Sequence, residues 1–383
     1  MQPLYLACGI ILLAIVVVAI AMNGLVVVAF LKRRVHLIKR DIILVSMAIS
    51  DILQSVIGYP MEIDRLLRNE EIKDDTVCHF IGFSVTLLAL VSIGHLSYLA
   101  VERCLALKNP YFFRKTVNKW RWQFMAIALI WVYGCIFSAA PYTGEPGYAR
   151  ELDKRRCSID WSKRDTGARA YFYSLFIFCF FFPVVIMAVC SLISFNELKE
   201  LYERSKVSFG RRRSSQATME AYLANRKHSV MVLVMAATFI TMWTPYAVVC
   251  FFVTVSSRRI PIELLTIAAI IAKCSTIANP IIYTFMYSDF KRSVRLLFCK
   301  EEEKLTGVLL AASKTAFAAA SKTTFVPRII KKRSSAPDAL DILDPDGNNN
   351  NQRLLKKISE CGQDEELLMQ FKPRMKELPR KSF

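Results

Sequence analysis

The chain has 383 residues, 54% of them hydrophobic, yet it carries a formal net charge of +19. A water-soluble globule rarely combines the two, whereas a membrane protein does so by segregating them into apolar spans and basic connections. No nucleic-acid-binding motif accompanies the positive charge, so it reads as charge facing lipid headgroups and cytoplasmic partners, not nucleic acid. The apolar residues fall into seven blocks, at about 4–31, 42–66, 78–104, 121–142, 171–195, 229–255 and 262–286. Each is near the roughly 20 residues that a membrane-crossing helix needs. The first block begins almost at Met1, is too long for a cleaved signal peptide, and contains Asn23 before a basic stop at Lys32, Arg33 and Arg34. It is therefore expected to be the first span.

Basic residues near the ends of spans set the orientation. The first connection holds Lys32, Arg33, Arg34, Lys39 and Arg40, and the one after the fifth block holds Lys199, Arg204, Lys206, Arg211, Arg212, Arg213, Arg226 and Lys227. The stretch at 64–77 is acidic on balance, with Asp64, Glu70, Glu71, Asp74 and Asp75. The loop at 143–170 is also basic, but the alternation of the others places the N-terminus outside and the C-terminus in the cytoplasm. Cys104, Cys135, Cys179, Cys190, Cys250 and Cys274 lie inside spans and read as small apolar packing residues. Cys78 and Cys157 lie at the outer ends of the bundle, in an oxidising compartment, and are expected to form a disulfide.

After the seventh block comes a short amphipathic stretch, expected as an eighth helix, ending near Cys299. Palmitoylation there and a free thiol are both open. Residues 1–299 thus form one seven-helix unit and 300–383 a cytoplasmic tail. The Ser, Pro, Asp and Asn content of 334–352 cannot bury a core, so the tail is expected to be largely disordered. Ser313, Thr315, Ser321, Thr323, Thr324, Ser334 and Ser335 are candidate phosphorylation sites. The sequence has no metal cluster, phosphate loop or catalytic triad, and His36, His79, His95 and His228 have no ligand spacing. An enzyme is not expected.

Several short motifs fall in order along the spans. They are Asn23 in the first, Asp51 in the second, Glu102-Arg103-Cys104 closing the third, Trp131 in the fourth and Pro183 in the fifth. Trp243-Thr244-Pro245-Tyr246 follows in the sixth and Asn279-Pro280-Ile281-Ile282-Tyr283 in the seventh. Together they resemble the rhodopsin-like class of G-protein-coupled receptors, over about residues 1–299. Polar side chains inside spans are costly and face the interior, so Asp51, Asn23 and Asn279 would share one internal site. Pro245 and Pro280 would kink their helices, and Arg103 would sit where a partner protein reaches it.

Lys273 narrows the resemblance. It lies in the middle of the seventh block, in Ile270-Ile271-Ala272-Lys273-Cys274-Ser275, where a lysine costs about 2.5–3.5 kcal/mol. Its place six residues before Asn279 resembles that of the retinal-binding lysine of opsins, whose amine condenses with the aldehyde of retinal to a Schiff base. The resemblance implies retinal as cofactor, 11-cis in the dark and all-trans after light. It also implies a pocket including Gly82, Trp243, Tyr246 and Ala269. Ile81 stands where vertebrate visual opsins carry an acidic counterion, so another carboxylate must serve. Glu62 is the first candidate, because eleven residues after Asp51 is about three helical turns, on the same face and roughly 16 Å nearer the outside. Glu151, six residues before Cys157, is the second, at the loop position that many invertebrate opsins use.

Cys104, Ser191, Asn225 and the tripeptide Tyr287-Ser288-Asp289 depart from the familiar opsin patterns. With these departures the chain looks most like a cnidarian opsin of the box jellyfish type. That implies a light-sensing receptor in the plasma or a photoreceptor membrane, coupled to Gs and raising cyclic AMP, with receptor kinase and arrestin acting on the tail. Gi or Gq coupling, and a retinal photoisomerase, are the alternatives. The lysine weighs against a receptor for a diffusible ligand, and the lack of an internal repeat against a transporter.

Overall fold

The computed structural model describes residues 2–32, 41–144, 146–151, 153–207, 212–256, 260–287, 290, 291 and 294. Among them are seven helices long and apolar enough to cross a membrane. They are α1 (Pro3–Leu31), α2 (Asp41–Arg68), α3 (Asp75–Lys108), α4 (Trp120–Thr143), α5 (Thr166–Arg204), α6 (Tyr222–Val255) and α7 (Ile262–Met286). The chain is an all-α integral membrane protein, and several helices run past the apolar blocks into polar sequence. Local signals set the ends. Asp74 and Asp165 cap α3 and α5, their side chains accepting from the Val77 and Ala168 amides at 3.1 and 2.8 Å. Asn69 ends α2 in the left-handed conformation, at φ 56°. Cys299, most of the expected eighth helix and the tail's phosphorylation candidates lie outside the described residues; residues 290, 291 and 294 of that stretch are described and are helical.

Between α4 and α5 a short hairpin, β1 (Tyr148–Arg150) and β2 (Cys157–Ile159), pairs antiparallel with Arg150 opposite Cys157. Cys157 is disulfide-bonded to Cys78 in the first turn of α3. Arg150 fastens the same edge by donating to the Ile72 and Lys73 carbonyls at 2.5 and 2.7 Å. The bridge closes a loop of 79 residues. Cys157→Ala is therefore expected to cost about 4 kcal/mol of stability, read as a lowered Tm of the purified protein.

A proline in a helix orphans a carbonyl one turn earlier, and in a bilayer that carbonyl needs another donor. Three prolines here have one. Pro141 in α4 frees the Phe137 carbonyl, which accepts from the Tyr171 hydroxyl of α5 at 2.8 Å. Pro183 follows a π-helical turn in α5 and frees the Phe178 carbonyl, which accepts from the Tyr133 hydroxyl of α4 at 2.7 Å. Pro280 in α7 frees the Thr276 carbonyl, which accepts from the Asn23 amide of α1 at 2.9 Å. Asn23 thus serves mainly as the donor that ties α1 to α7. It makes no bond to Asp51, which instead accepts from Ser92 of α3 at 3.1 Å and interacts with Asn279 of α7. Two acceptors, Asn23 Oδ1 and Asp51 Oδ2, are buried with no donor among the described residues.

The half of the bundle away from the hairpin holds a large apolar cluster, with Phe30, Met47, Leu96, Met235, Phe239 and Tyr283 among its members. Small residues let helices close up on it. A Cβ on Gly134 of α4 would come within 3.0 Å of Val91 on α3. Nearby, His95 of α3 bonds Ser46 of α2 at 3.0 Å, and Trp131 of α4 donates to the same hydroxyl at 3.3 Å, joining three helices.

Candidate functional site

At the end of the bundle that carries the hairpin, the helices and the hairpin enclose a mainly apolar cavity of about 170 Å³. Lys273, Glu62, Glu151, Trp243, Tyr246 and Ala269, all singled out from the sequence, line it. Lys273 ends the first segment of α7, which is interrupted at Cys274 before resuming at Ser275. Its Nζ donates to both carboxylate oxygens of Glu62, at 2.8 and 2.6 Å. It also lies 5.4 Å from the Tyr59 ring centroid, a cation–π distance. The two side chains are only 11% and 7% exposed. A buried charge needs this kind of partner, because an isolated one would cost several kcal/mol.

Glu62 comes inward by a route that straight-helix counting misses. After Asp51 the helix widens into a π-turn at Gln54–Gly58, breaks at Tyr59, and restarts with Pro60 at its first position. Glu62 faces the cavity from the first turn of that restarted segment.

A second cation, which sequence reasoning missed, stands behind the pair. Arg156, next to the disulfide, is buried with its Nε 4.0 Å from Glu62 Oε1. Its Nη2 lies 2.7 Å from Asp153 and 3.1 Å from Glu151, and donates to Thr266 of α7 at 3.0 Å. Burial works against its charge, but the carboxylates of Glu151, Asp153 and Glu62 outweigh that and hold the guanidinium above the ordinary arginine value. Glu151 also accepts from the Tyr246 hydroxyl at 3.2 Å. The order of charges is therefore Lys273, Glu62, Arg156, then Glu151 and Asp153. Glu62 touches the lysine, and Glu151 lies on the far side of an arginine.

Gly82 does not line the cavity. A Cβ there would lie 2.6 Å from the Tyr148 ring of β1, so the room Gly82 leaves is filled by the hairpin and not by a ligand. At the cavity floor Trp243 donates to Ser275 at 3.0 Å and stacks on Phe239, with centroids 5.5 Å apart.

At the opposite end of the bundle Arg103 lies 3.8 Å from Glu102. Glu102 accepts from Gln123 of α4 at 3.3 Å, and Gln123 accepts from Tyr98 at 3.2 Å. Gln123 was not anticipated, although a polar residue at the start of an apolar span is the signal that could have found it. Arg103 and Ser191 line a small second cavity of about 50 Å³. Cys104 is buried beside them.

Residues 22–283 match the family described as 7 transmembrane receptor (rhodopsin family). The chain is 30% identical over 261 residues to Opsin-3 of Mus musculus, covering 67% of this chain and 62% of that protein. It is 26% identical to Melanopsin of Rutilus rutilus, covering 75% of this chain and 57% of that protein. Rhodopsin of Alloteuthis subulata is 24% identical, with 78% and 70% covered. The first two of these relatives are thus spanned over about 60% of their length. The structure of squid rhodopsin shares the fold, with a TM-score of 0.69 at 20% identity over 85% of this chain and 93% of that one. With seven apolar helices and a family match over 22–283, the chain belongs to the rhodopsin family of 7 transmembrane receptors.

Proposed function

We propose that the chain is an opsin. In this reading it is a light-sensing receptor that holds retinal on Lys273, with Glu62 as counterion, and activates a heterotrimeric G protein, Gs, raising cyclic AMP. The observation that carries the reading is the Lys273–Glu62 pair at 2.6 Å inside an apolar cavity. The residues fit the cofactor: a primary amine can bond an aldehyde, apolar walls suit a polyene, and a carboxylate beside the amine can take up or balance a proton. When bound, retinal supplies the chromophore, 11-cis in the dark and all-trans after light.

The chain's own residues do the rest. Lys273 would hold retinal through its amine, and Glu62 is placed at 2.6 Å to take the proton that the amine must lose to become free. With that group bound, the Glu62 carboxylate would balance a proton on the Lys273 nitrogen in a buried site. Arg156 keeps the charge of Glu151 and Asp153 engaged elsewhere. Trp243 and Tyr246 wall the cavity, and Trp243 lies two residues before Pro245, about which α6 can tilt. That tilt would open the cytoplasmic end to a G protein at Arg103.

The subfamily reading, a cnidarian opsin of the box jellyfish type, rests on the motif departures. Residues 1–299 are read as the receptor unit, with the N-terminus outside, and 300–383 as the tail on which receptor kinase and arrestin act.

The test is the absorption spectrum after reconstitution with 11-cis-retinal, before and after light, together with cyclic AMP in cells. A visible pigment and a light-driven rise in cyclic AMP are expected; a fall, or calcium release alone, replaces Gs with Gi or Gq. Arg103→Ala is expected to leave the spectrum unchanged while lowering light-driven nucleotide exchange at least ten-fold. Unchanged exchange at equal expression refutes its role.

A further inference from the structure

We propose that Tyr287 is a latch that holds the cytoplasmic end of α6 inward by joining Asp41 of α2 to His228 of α6. Tyr287 is the first residue past the end of α7. There the backbone turns extended, at φ −97° and ψ 103°, while its amide still bonds the Tyr283 carbonyl at 2.9 Å. The turn swings the ring inward, where it is 1% exposed. Its hydroxyl donates to Asp41 Oδ1 at 2.5 Å. The His228 ring packs edge-on against it at 5.2 Å, and Phe30 of α1 lies at 6.2 Å.

An acid in the first turn of α2 would suit the helix dipole from the surface. Asp41 is instead fully buried, so its desolvation must be offset by what it meets inside, and the tyrosine hydroxyl is one such group. A hydrogen bond to a carboxylate is among the stronger ones. Its place gives it leverage. His228 precedes the Pro245 kink by seventeen residues, about 25 Å along the helix. A contact at the far end of the lever opposes a tilt with the longest arm. Asp41, Tyr287 and Phe30 belong to α2, the end of α7 and α1, so α6 is braced against three other parts of the bundle through one ring. The latch is distinct from the Arg103 site, which the Glu102 and Gln123 side chains organise on α3 and α4.

Its consequence for signalling rests on the receptor reading above, but its mechanics do not. The test uses the full chain in lipid nanodiscs, in the dark, with spin labels at Arg226→Cys on α6 and Arg121→Cys on α4. Tyr287→Phe keeps the ring and its packing and removes only the hydroxyl. It is expected to increase the population with a longer α6–α4 distance about ten-fold, the factor by which losing a hydrogen bond to a charged acceptor shifts an equilibrium. Dark nucleotide exchange should rise by a similar factor. Asp41→Asn, which keeps an oxygen acceptor, should shift both less, and it serves as the reporter if Tyr287→Phe fails to fold. Unchanged distances in the folded variants overturn the latch. A longer distance with no exchange on any G protein supports the latch and removes the receptor reading instead.

Discussion

Lys273→Ala yields no visible pigment with 11-cis-retinal and no light response, because no other amine among the described residues lines the cavity at the Glu62 carboxylate. The change also unbalances the site. Glu62 loses a partner at 2.6 Å and keeps Arg156 at 4.0 Å. Removing one member of a buried pair typically destabilises by about 3–5 kcal/mol, so the variant should melt well below the parent even without retinal. Lys273→Ala combined with Glu62→Gln should recover much of that stability and still form no pigment. Loss of pigment is thereby separated from loss of fold. Acid-trapped covalent retinal on Lys273→Ala would sink the assignment.

Glu62→Gln is expected to move absorbance from the visible to the near ultraviolet at neutral pH. The substitution keeps the shape of the side chain and removes its charge, leaving the nitrogen on Lys273 with no anion in contact and with Arg156 as the next charge. Two cations then share a buried site, and the one able to lose its proton does so. Glu62→Asp should keep the colour with a shifted maximum. Glu151→Gln should shift the spectrum only modestly, because Arg156 stands between that carboxylate and the lysine. A visible Glu62→Gln together with a colourless Glu151→Gln would reverse the order of the two acids.

How much of this was legible in the sequence follows from how each feature signals itself. The spans announce themselves because the bilayer demands unbroken apolar runs. Only their ends were misplaced, since helices continue into polar sequence without penalty. Lys273 stands out because a cation in such a run needs a partner, and Glu62 could be reached by counting from Asp51. The count assumed a regular helix, and the chain instead widens at Gln54–Gly58 and restarts at Pro60. Arg156 was hidden because it belongs to the run Lys154-Arg155-Arg156, which reads as one basic loop. Lys154 pairs with Glu71 at the surface and Arg155 lies over the Tyr5 ring, while Arg156 alone of the three turns fully inward. Gly82 misled for a related reason: a missing side chain shows that something comes close but not what, and the hairpin residue Tyr148 is 66 positions away in the chain.

The proline carbonyls bear on how the bundle is made. A helix that leaves the translocon alone exposes any orphaned carbonyl to hydrocarbon, at a cost of several kcal/mol each. The α4 carbonyl at Phe137 waits for a tyrosine of α5, and the α5 carbonyl at Phe178 waits for a tyrosine of α4. Neither helix is complete without the other, so the two should enter lipid as a pair. The Thr276 carbonyl of α7, the last of the seven described spans, finds its donor on Asn23 in the first of them. Closure of the ring should therefore be the final step of biogenesis, and a ribosome-stalled chain lacking α7 should hold α1 only loosely.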